Sequence, residues 1–526
     1  MSVQPVLIAG QWRPANSSGT FRADDPVRQQ PLDDEYPVST WQDCDEALSA
    51  AASAFVEMRK MPAERFAAFL ESFAEQIEAR KDALVEMANR ESALPRSPRL
   101  ADVELPRTTS QLRQAAAAAR DGSWAMATID SAANIRSMYG SLGPVCVFGP
   151  NNFPFAFNSM AGGDFAAALA AGNPVIAKAN SSHPGTTRLF GEAAQAAAEA
   201  TGMPAGTVQL IYRTSHADGE RLVADPRVGA TGYTGSRTAG LKLKAAADTA
   251  GKPIYLELSS VNPVVVLPGA LNERGDAIAD EFTGSCLMGT GQFCTNPGLV
   301  ILLAGKSTDR FVARLTEKFA AAPVGTLLSK AVAKSLETSV AKLIEAGAKP
   351  LVGNQPGGGN GYSFANTLLW ASGKQFLANP HAMQTEAFGN VSLLVVADNI
   401  SEACQVLDHL EGNLTGCIYS DANGSDDELY DPISFAMRPK VGRLLNDKMP
   451  TGVAVSAAMN HGGPYPATGH PGFTAVGIPP AMLRFAMLQC FDAVRPERLP
   501  ALLRDKNPTG STWRRIDGQW TQADVG

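Results

Sequence analysis

A cysteine, a glutamate and an asparagine stand in settings where each could do chemistry. Cys294 lies in GTGQFCTNPG (289–298), a loop rich in Gly, Asn and Pro that follows an apolar helical stretch. Loop backbone N–H groups there could stabilise a thiolate and, later, an oxyanion. On local sequence alone, a loop cysteine without a role is the commoner case. Glu257 sits inside the apolar run YLELSS (255–260). An ionised carboxylate is costly in such a strand, and at its carboxyl end it would suit a general base. A solvent-facing glutamate or a buried ion pair is the plainer alternative. In FGPNNFPF (148–155) a strand ends on a polar pair, and Asn152 could donate an amide N–H to an oxyanion or simply make an Asx-turn.

Other residues could hold a ligand. Lys178 ends the strand-like VIAK and could bind a ribose or phosphate, although most lysines are merely solvated. TGYTGSRTAG (231–240) reads as strand, Gly turn and helix, with Ser236 opening the helix and Gly235 and Gly240 allowing close backbone approach. It is not the G-x-G-x-x-G fingerprint, and a tight strand–helix turn explains it equally well.

These residues need elements to position them. From Gly143 to Val266 short β-branched runs alternate with Ala-rich helical stretches: VCVFG, then 158–172 helical, PVIAK, 186–200 helical, TVQLI, VGATGY, 236–250 helical, PIYLEL. Such alternation predicts a parallel sheet with helices on both faces, whose ligands bind at the carboxyl ends of the strands. A second block follows. Helices near 308–320, 328–346 and 401–411 alternate with strands near 349–352, 391–396 and 416–420. Before both lie a hairpin at VLIAGQW and helices from Thr40 to about Arg120, punctuated by Pro62 and Pro95.

Composition narrows the class. With 526 residues the chain can bury several cores, and 45% hydrophobic with 18% charged residues is an ordinary globular balance. A net charge of −7 argues against a nucleic-acid partner. No apolar run approaches a membrane span, and the first residues lack a secretion signal, so a cytoplasmic protein is expected. The seven cysteines show no metal-type or disulfide-type spacing, and the six histidines are dispersed along the chain, so no metal site is expected.

Taken in order, FGPNNFP, VIAK, GYTGS, LEL, GQFC and TEAFG resemble the aldehyde dehydrogenase superfamily, from IAGQW to about Pro500. The resemblance implies an α/β fold of two doubly wound parallel-sheet domains plus a small oligomerisation β-segment. Residues 1–128 and 146–262 would form the dinucleotide-binding domain and 263–480 the catalytic domain, while 129–145 and 481–505 would pair subunits into a homodimer or homotetramer. It also implies NAD(P)-dependent oxidation of an aldehyde to a carboxylate. Cys294 matches the nucleophile, Glu257 the general base and Asn152 the oxyanion amide. Lys178 matches the ribose-gripping lysine, Gly235 and Ser236 the pyrophosphate turn, and Glu386 and Phe388 the pair that positions the nicotinamide ribose and ring. Where many members carry a glutamate three residues after the lysine, this chain has Ser181. A glutamate there would repel a 2′-phosphate, so NADP is expected as cofactor, with NAD also possible.

Three further stretches, LPRTTSQLR (105–113), GQFCTNPG (291–298) and 450–477, resemble one branch, the dehydrogenases of 2-oxoglutarate semialdehyde, or 2,5-dioxopentanoate. A terminal carboxylate would need a cation, for which Arg107 and Arg113 are candidates. A fatty-aldehyde enzyme shares much of the pattern and would instead need an apolar tunnel, which Phe153, Phe155, Phe293 and Phe473 could line. A relative that sends the thioester to coenzyme A often lacks the base matched here by Glu257, and a catalytically dead structural relative would not need the intact Cys294, Glu257 and Asn152.

Overall fold

The computed structural model describes residues 3–526. The first alternating block folds as a seven-stranded sheet. Its order is Ile254–Glu257, Ala230–Thr234, Val145–Phe148, Val175–Lys178, Val208–Ile211, Val6–Ile8, Gln11–Arg13. The first five strands run parallel, and the N-terminal hairpin joins them antiparallel, turning at Gly10 with φ 72°. VCVF and VQLI are buried at every position, as expected of parallel strands covered on both faces. The chain order reverses around Val145–Phe148, because the strand that follows it in sequence lies on one side and Ala230–Thr234 on the other. That reversal opens a crevice beyond the carboxyl ends of these strands.

The second block forms another seven-stranded sheet, ordered Lys349–Val352, Thr367–Ser372, Val391–Ala397, Leu299–Leu303, Pro263–Val266, Asn413–Tyr419, Val441–Asn446. All its pairings are parallel except that of Lys349–Val352. Helices Lys306–Ala321, Lys330–Glu345 and Ile400–Asp408 lie close to their expected spans.

A third sheet, of five strands, joins Ala486–Asp492, Ile135–Ser141, Thr128–Asp130, Arg514–Ile516 and Gln519–Thr521. It runs past the expected limit at 505 because the C-terminal hairpin pairs in parallel with Thr128–Asp130. Ala486–Asp492 is its edge strand and leaves Met487 and Leu488 exposed. No helix of the described residues is long and apolar enough to cross a membrane.

Two local departures bear on the site. The helix expected over 158–172 begins only at Gly163. Asn158 takes the preceding residues for a side-chain-bonded turn, its Nδ2 donating to the Pro154 carbonyl at 2.9 Å and its Oδ1 accepting from Met160 N–H at 2.9 Å. Residues 450–477 are irregular, yet they dock on the open edge of Ile254–Glu257: Leu258 N–H donates to the Ala467 carbonyl at 2.8 Å, and Gly469 N–H to the Leu256 carbonyl at 3.1 Å.

Candidate active site

The carboxyl ends of the first sheet face the amino ends of the second across a groove of about 760 Å³. Asn152, Gly235, Ser236 and Glu257 line it from one side, Cys294, Glu386 and Phe388 from the other. Seven of the nine residues singled out in the sequence thus share one groove. Lys178 and Ser181 stand further along the first sheet, at and beyond the end of Val175–Lys178. The loop after Lys178 is tied back to the Phe148 loop, with Asn180 Nδ2 donating to the Gly149 carbonyl at 3.1 Å and His183 Nε2 2.8 Å from the Pro150 carbonyl oxygen. Burial, helped by the Arg213 charge, pulls the Lys178 ammonium down to about 8.

Cys294 is half-buried, in a turn five residues before Leu299 opens the strand Leu299–Leu303. Its backbone is pinned by Asn262, whose Nδ2 donates to the Cys294 carbonyl at 2.9 Å and the Asn296 carbonyl at 2.8 Å. Burial first, and then the carboxylate of Glu257, push its thiol well above the usual cysteine range. Asn152 Nδ2 lies 3.0 Å from the Gln292 carbonyl oxygen, two residues before the cysteine. An amide carries two N–H donors, so one remains for a ligand beside Cys294.

Glu257 is 2% exposed, and its Oε2 has no hydrogen-bond partner among the described residues. Its Oε1 lies 3.0 Å from His461 Nε2, and the same nitrogen lies 3.4 Å from Cys294 Sγ. Thiol, imidazole and carboxylate therefore form one buried cluster. This corrects the expectation that the histidines are dispersed and that no ligand-type cluster exists. The irregular segment 450–477 carries His461 across the chain to Glu257, and Thr474 Oγ1 accepts the His461 backbone N–H at 3.0 Å.

Gly235 and Ser236 form the turn into helix Arg237–Thr249, where Ser236 Oγ accepts from Ala239 N–H. A Cβ on Gly240 would meet Leu258 Cδ2 at 2.5 Å. That glycine packs closely against Leu258 and Tyr233, which fits the tight strand–helix turn that the sequence also allowed. Glu386 Oε1 accepts from Ser260 N–H at 3.2 Å, and burial pushes its carboxyl up to about 7.

The wall beside Cys294 is aromatic. Phe153 meets Phe293 edge-on at 5.3 Å and Phe157 at 5.2 Å, and Phe157 in turn meets the His461 ring at 5.8 Å. Two of the four phenylalanines expected to line a tunnel are elsewhere: Phe155 packs on Phe190 in the core, and Phe473 lies under Arg484. Arg107, on helix Leu105–Asp121, lies over Phe157 at 5.3 Å and Phe153 at 5.9 Å. Its Nη2 is buried without a hydrogen-bond partner among the described residues. Arg113 does not reach the site. It is exposed on the same helix and pairs with Glu78 at 2.6 Å, because six residues of helix turn it to the opposite side.

A profile of the aldehyde dehydrogenase family matches residues 12–437. The chain belongs to the aldehyde dehydrogenase family. It is 41% identical over 520 residues to alpha-ketoglutaric semialdehyde dehydrogenase 2 of Azospirillum brasilense, covering 97% of this chain and 98% of that one. It is 36% identical to the alpha-ketoglutaric semialdehyde dehydrogenase of Acinetobacter baylyi, over 98% of both. Among solved folds, it superposes on PnpE in complex with nicotinamide adenine dinucleotide with a TM-score of 0.79 at 21% identity, covering 96% of this chain and all of that one. It superposes on lactaldehyde dehydrogenase from Escherichia coli with a TM-score of 0.78 at 23% identity, covering 93% and 98%. An enzyme of the aldehyde dehydrogenase family is thus built on these three sheets.

Beyond His461, sequence reasoning missed Arg99 and Glu104. Glu104 Oε1 accepts from Phe155 N–H at 2.8 Å and Ala156 N–H at 3.0 Å, and its Oε2 pairs with Arg99 Nε at 3.1 Å. Arg99 Nη2 donates to the Asn152 carbonyl at 3.0 Å. Together they hold the loop that carries Asn152 and the aromatic wall. Glu104 lies just before LPRTTSQLR, so the only signal was a buried acid beside a stretch noticed for another reason.

Proposed function

We propose that this enzyme oxidises 2-oxoglutarate semialdehyde to 2-oxoglutarate, using NADP at least as well as NAD. The observation that carries the substrate is Arg107: a guanidinium beside the aromatic wall, with Nη2 left for a carboxylate. A second guanidinium near Cys294, that of Arg443, donates to the Pro450 carbonyl at 2.7 Å, and its Nε is likewise buried without a partner among the described residues. The near-full-length similarity to two proteins named for this aldehyde supports the same reading.

The groove fits a dinucleotide. The N-terminus of helix Arg237–Thr249 offers N–H groups to a pyrophosphate, with Gly235 at the turn. Glu386 and Phe388 border the Cys294 end, where the ribose and nicotinamide would rest. Lys178 and Ser181 would hold the adenosine ribose, and Ser181 places no negative charge against a 2′-phosphate. A bound nicotinamide cofactor supplies the hydride acceptor.

The chain's own residues account for the remaining steps. His461 Nε2 can accept the thiol proton, since it faces Cys294 Sγ at 3.4 Å, and can then share it with Glu257 at 3.0 Å. The thiolate attacks the aldehyde carbon, and the oxyanion is met by the free N–H of Asn152 and the backbone N–H of Cys294. Loss of hydride from this adduct leaves a thioester on Cys294. Glu257 then draws a proton from water through its unpartnered Oε2, the resulting hydroxide adds to the thioester carbon, the carbon–sulfur bond breaks to release the acid, and the expelled Cys294 thiolate takes back the proton held by His461. The free edge of Ala486–Asp492, with Met487 and Leu488 exposed, supports assembly into a homodimer or homotetramer.

The deciding experiment compares kcat/KM for 2-oxoglutarate semialdehyde, succinic semialdehyde, hexanal and decanal. 2-Oxoglutarate semialdehyde should lead. A tenfold preference for an uncharged aldehyde, about 1.4 kcal/mol of transition-state discrimination, overturns the assignment in favour of a fatty-aldehyde dehydrogenase.

A further inference from the structure

Cys294, Glu257 and His461 do more than converge. One ligand atom from each lies within 4.8 Å of the other two, with Nε2 3.4 Å from Sγ and 3.0 Å from Oε1. Zinc binds thiolate at about 2.3 Å, imidazole at about 2.0 Å and carboxylate at about 2.1 Å. At tetrahedral angles those bonds set the sulfur–nitrogen edge at about 3.6 Å and the nitrogen–oxygen edge at about 3.4 Å. Both observed separations lie within a few tenths of an ångström of these edges, and the sulfur–oxygen edge, within 4.8 Å, would close toward the tetrahedral value of about 3.6 Å as the ion binds.

We propose that the Cys294–His461–Glu257 cluster binds Zn2+ as a reversible inhibitor that occupies the reaction centre. Three protein ligands leave a fourth, tetrahedral position toward the groove that Cys294 and Glu257 line, where water would complete the shell. Charge favours the ion. A thiolate and a carboxylate offset its two positive charges, so the complex with zinc carries no net charge. Ligand softness selects the metal: thiolate and imidazole favour zinc or cadmium over magnesium and calcium, which want oxygen. No redox step is involved. The Cys294 proton leaves to solvent as the zinc–sulfur bond forms, so binding tightens as pH rises. Occupancy removes both the nucleophile and the base, making zinc competitive with the aldehyde. That consequence rests on the proposed catalytic reading; the binding itself does not.

The test uses the full-length enzyme freed of metal by chelator and titrated with Zn2+ against a chromogenic competitor. One ion per chain should bind at micromolar concentration or below, and chelator should restore activity. Cys294→Ser should abolish this site, and Glu257→Gln and His461→Asn should each weaken it by roughly 10–100-fold, as loss of one ligand does. Thermal melting shows whether each variant is folded, and Cys294→Ala replaces Cys294→Ser if that chain is not. Co2+ in place of zinc should give a near-ultraviolet thiolate charge-transfer band that is absent in the Cys294 variant. The proposal is overturned if the wild type shows no saturable site, if folded variants bind as tightly as the wild type, or if the cobalt complex lacks the thiolate band. Each of those results leaves aldehyde oxidation standing. Failure of the aldehyde panel, in turn, leaves the metal site untouched.

Discussion

The two large sheets meet at the groove with opposite ends. The first offers the carboxyl ends of its strands: Asn152 follows Val145–Phe148, Gly235 follows Ala230–Thr234, and Glu257 ends Ile254–Glu257. The second offers amino ends: Cys294 precedes Leu299–Leu303, and Glu386 precedes Val391–Ala397. The general rule for open parallel sheets places ligands at carboxyl ends, and it holds for one half only. In the proposed reading the first sheet brings the phosphate-binding turn together with Asn152 and Glu257, and the second brings the thiol together with Glu386. The chemistry should then separate from cofactor binding under mutation, and the variants below probe that separation.

The largest effect is expected on the second sheet. Cys294→Ala removes the covalent route, so turnover should fall by about three orders of magnitude or more. Cofactor affinity, measured by fluorescence titration, should stay within a few-fold of the wild type, because the turn proposed to bind phosphate, at Gly235 and Ser236, belongs to the other sheet. Near-normal turnover would show that Cys294 is not the nucleophile, and a collapse of cofactor binding would show that the two halves do not act separately.

Glu257 tests the boundary, since it is a first-sheet residue placed against the second-sheet thiol. Glu257→Gln should keep hydride transfer and lose deacylation, lowering steady-state turnover by about 10²–10⁴-fold. Rapid mixing should show a burst of about one reduced cofactor per active site before the slow phase. Absence of both burst and acyl-enzyme would remove Glu257 as the hydrolytic base.

How much of this was legible in sequence follows from the same contrast. The first sheet could be read from local pattern, because each strand and its following turn are contiguous and the rule for carboxyl ends applies. Cys294 and Glu386 stand where that rule does not look: the loop of Cys294 drew notice on local sequence without deciding a role, and only the resemblance of TEAFG to a family pointed to Glu386. His461 escaped because its contacts span 167 residues to Cys294 and 204 to Glu257, from a segment with no periodicity. Arg107 and Arg113 looked equivalent in sequence. Helix geometry separates them, leaving one over Phe157 and the other on Glu78.

That pair supplies the next test, of substrate choice rather than chemistry. Arg107→Met keeps much of the side-chain length and removes the donors. A hydrogen bond to a charged group contributes about 1.5–3 kcal/mol, so kcat/KM for 2-oxoglutarate semialdehyde should fall by roughly 10–150-fold. Hexanal oxidation should change by only a few-fold, and Arg113→Ala should change neither. An equal loss with charged and uncharged aldehydes would make Arg107 a structural support of the aromatic wall instead of a carboxylate anchor.

The smallest effect is expected furthest from the thiol, at Ser181 on the first sheet. Ser181 is half-buried in the loop after Lys178, a loop fixed by Asn180 and His183 to the turn beyond Phe148. A carboxylate there would accept hydrogen bonds from both ribose hydroxyls and repel a 2′-phosphate. Ser181→Glu should therefore shift the ratio of kcat/KM for NADP over NAD by roughly tenfold toward NAD, a like-charge penalty of about 1.4 kcal/mol. The shift should come from the NADP term, and kcat with saturating NAD should hold, since the proposed nucleophile and base are untouched. If the wild type already prefers NAD strongly, the NADP assignment fails. If Ser181→Glu lowers kcat with both cofactors, the 178–183 loop affects the chemical step, and the division of labour between the two sheets breaks down at its far end.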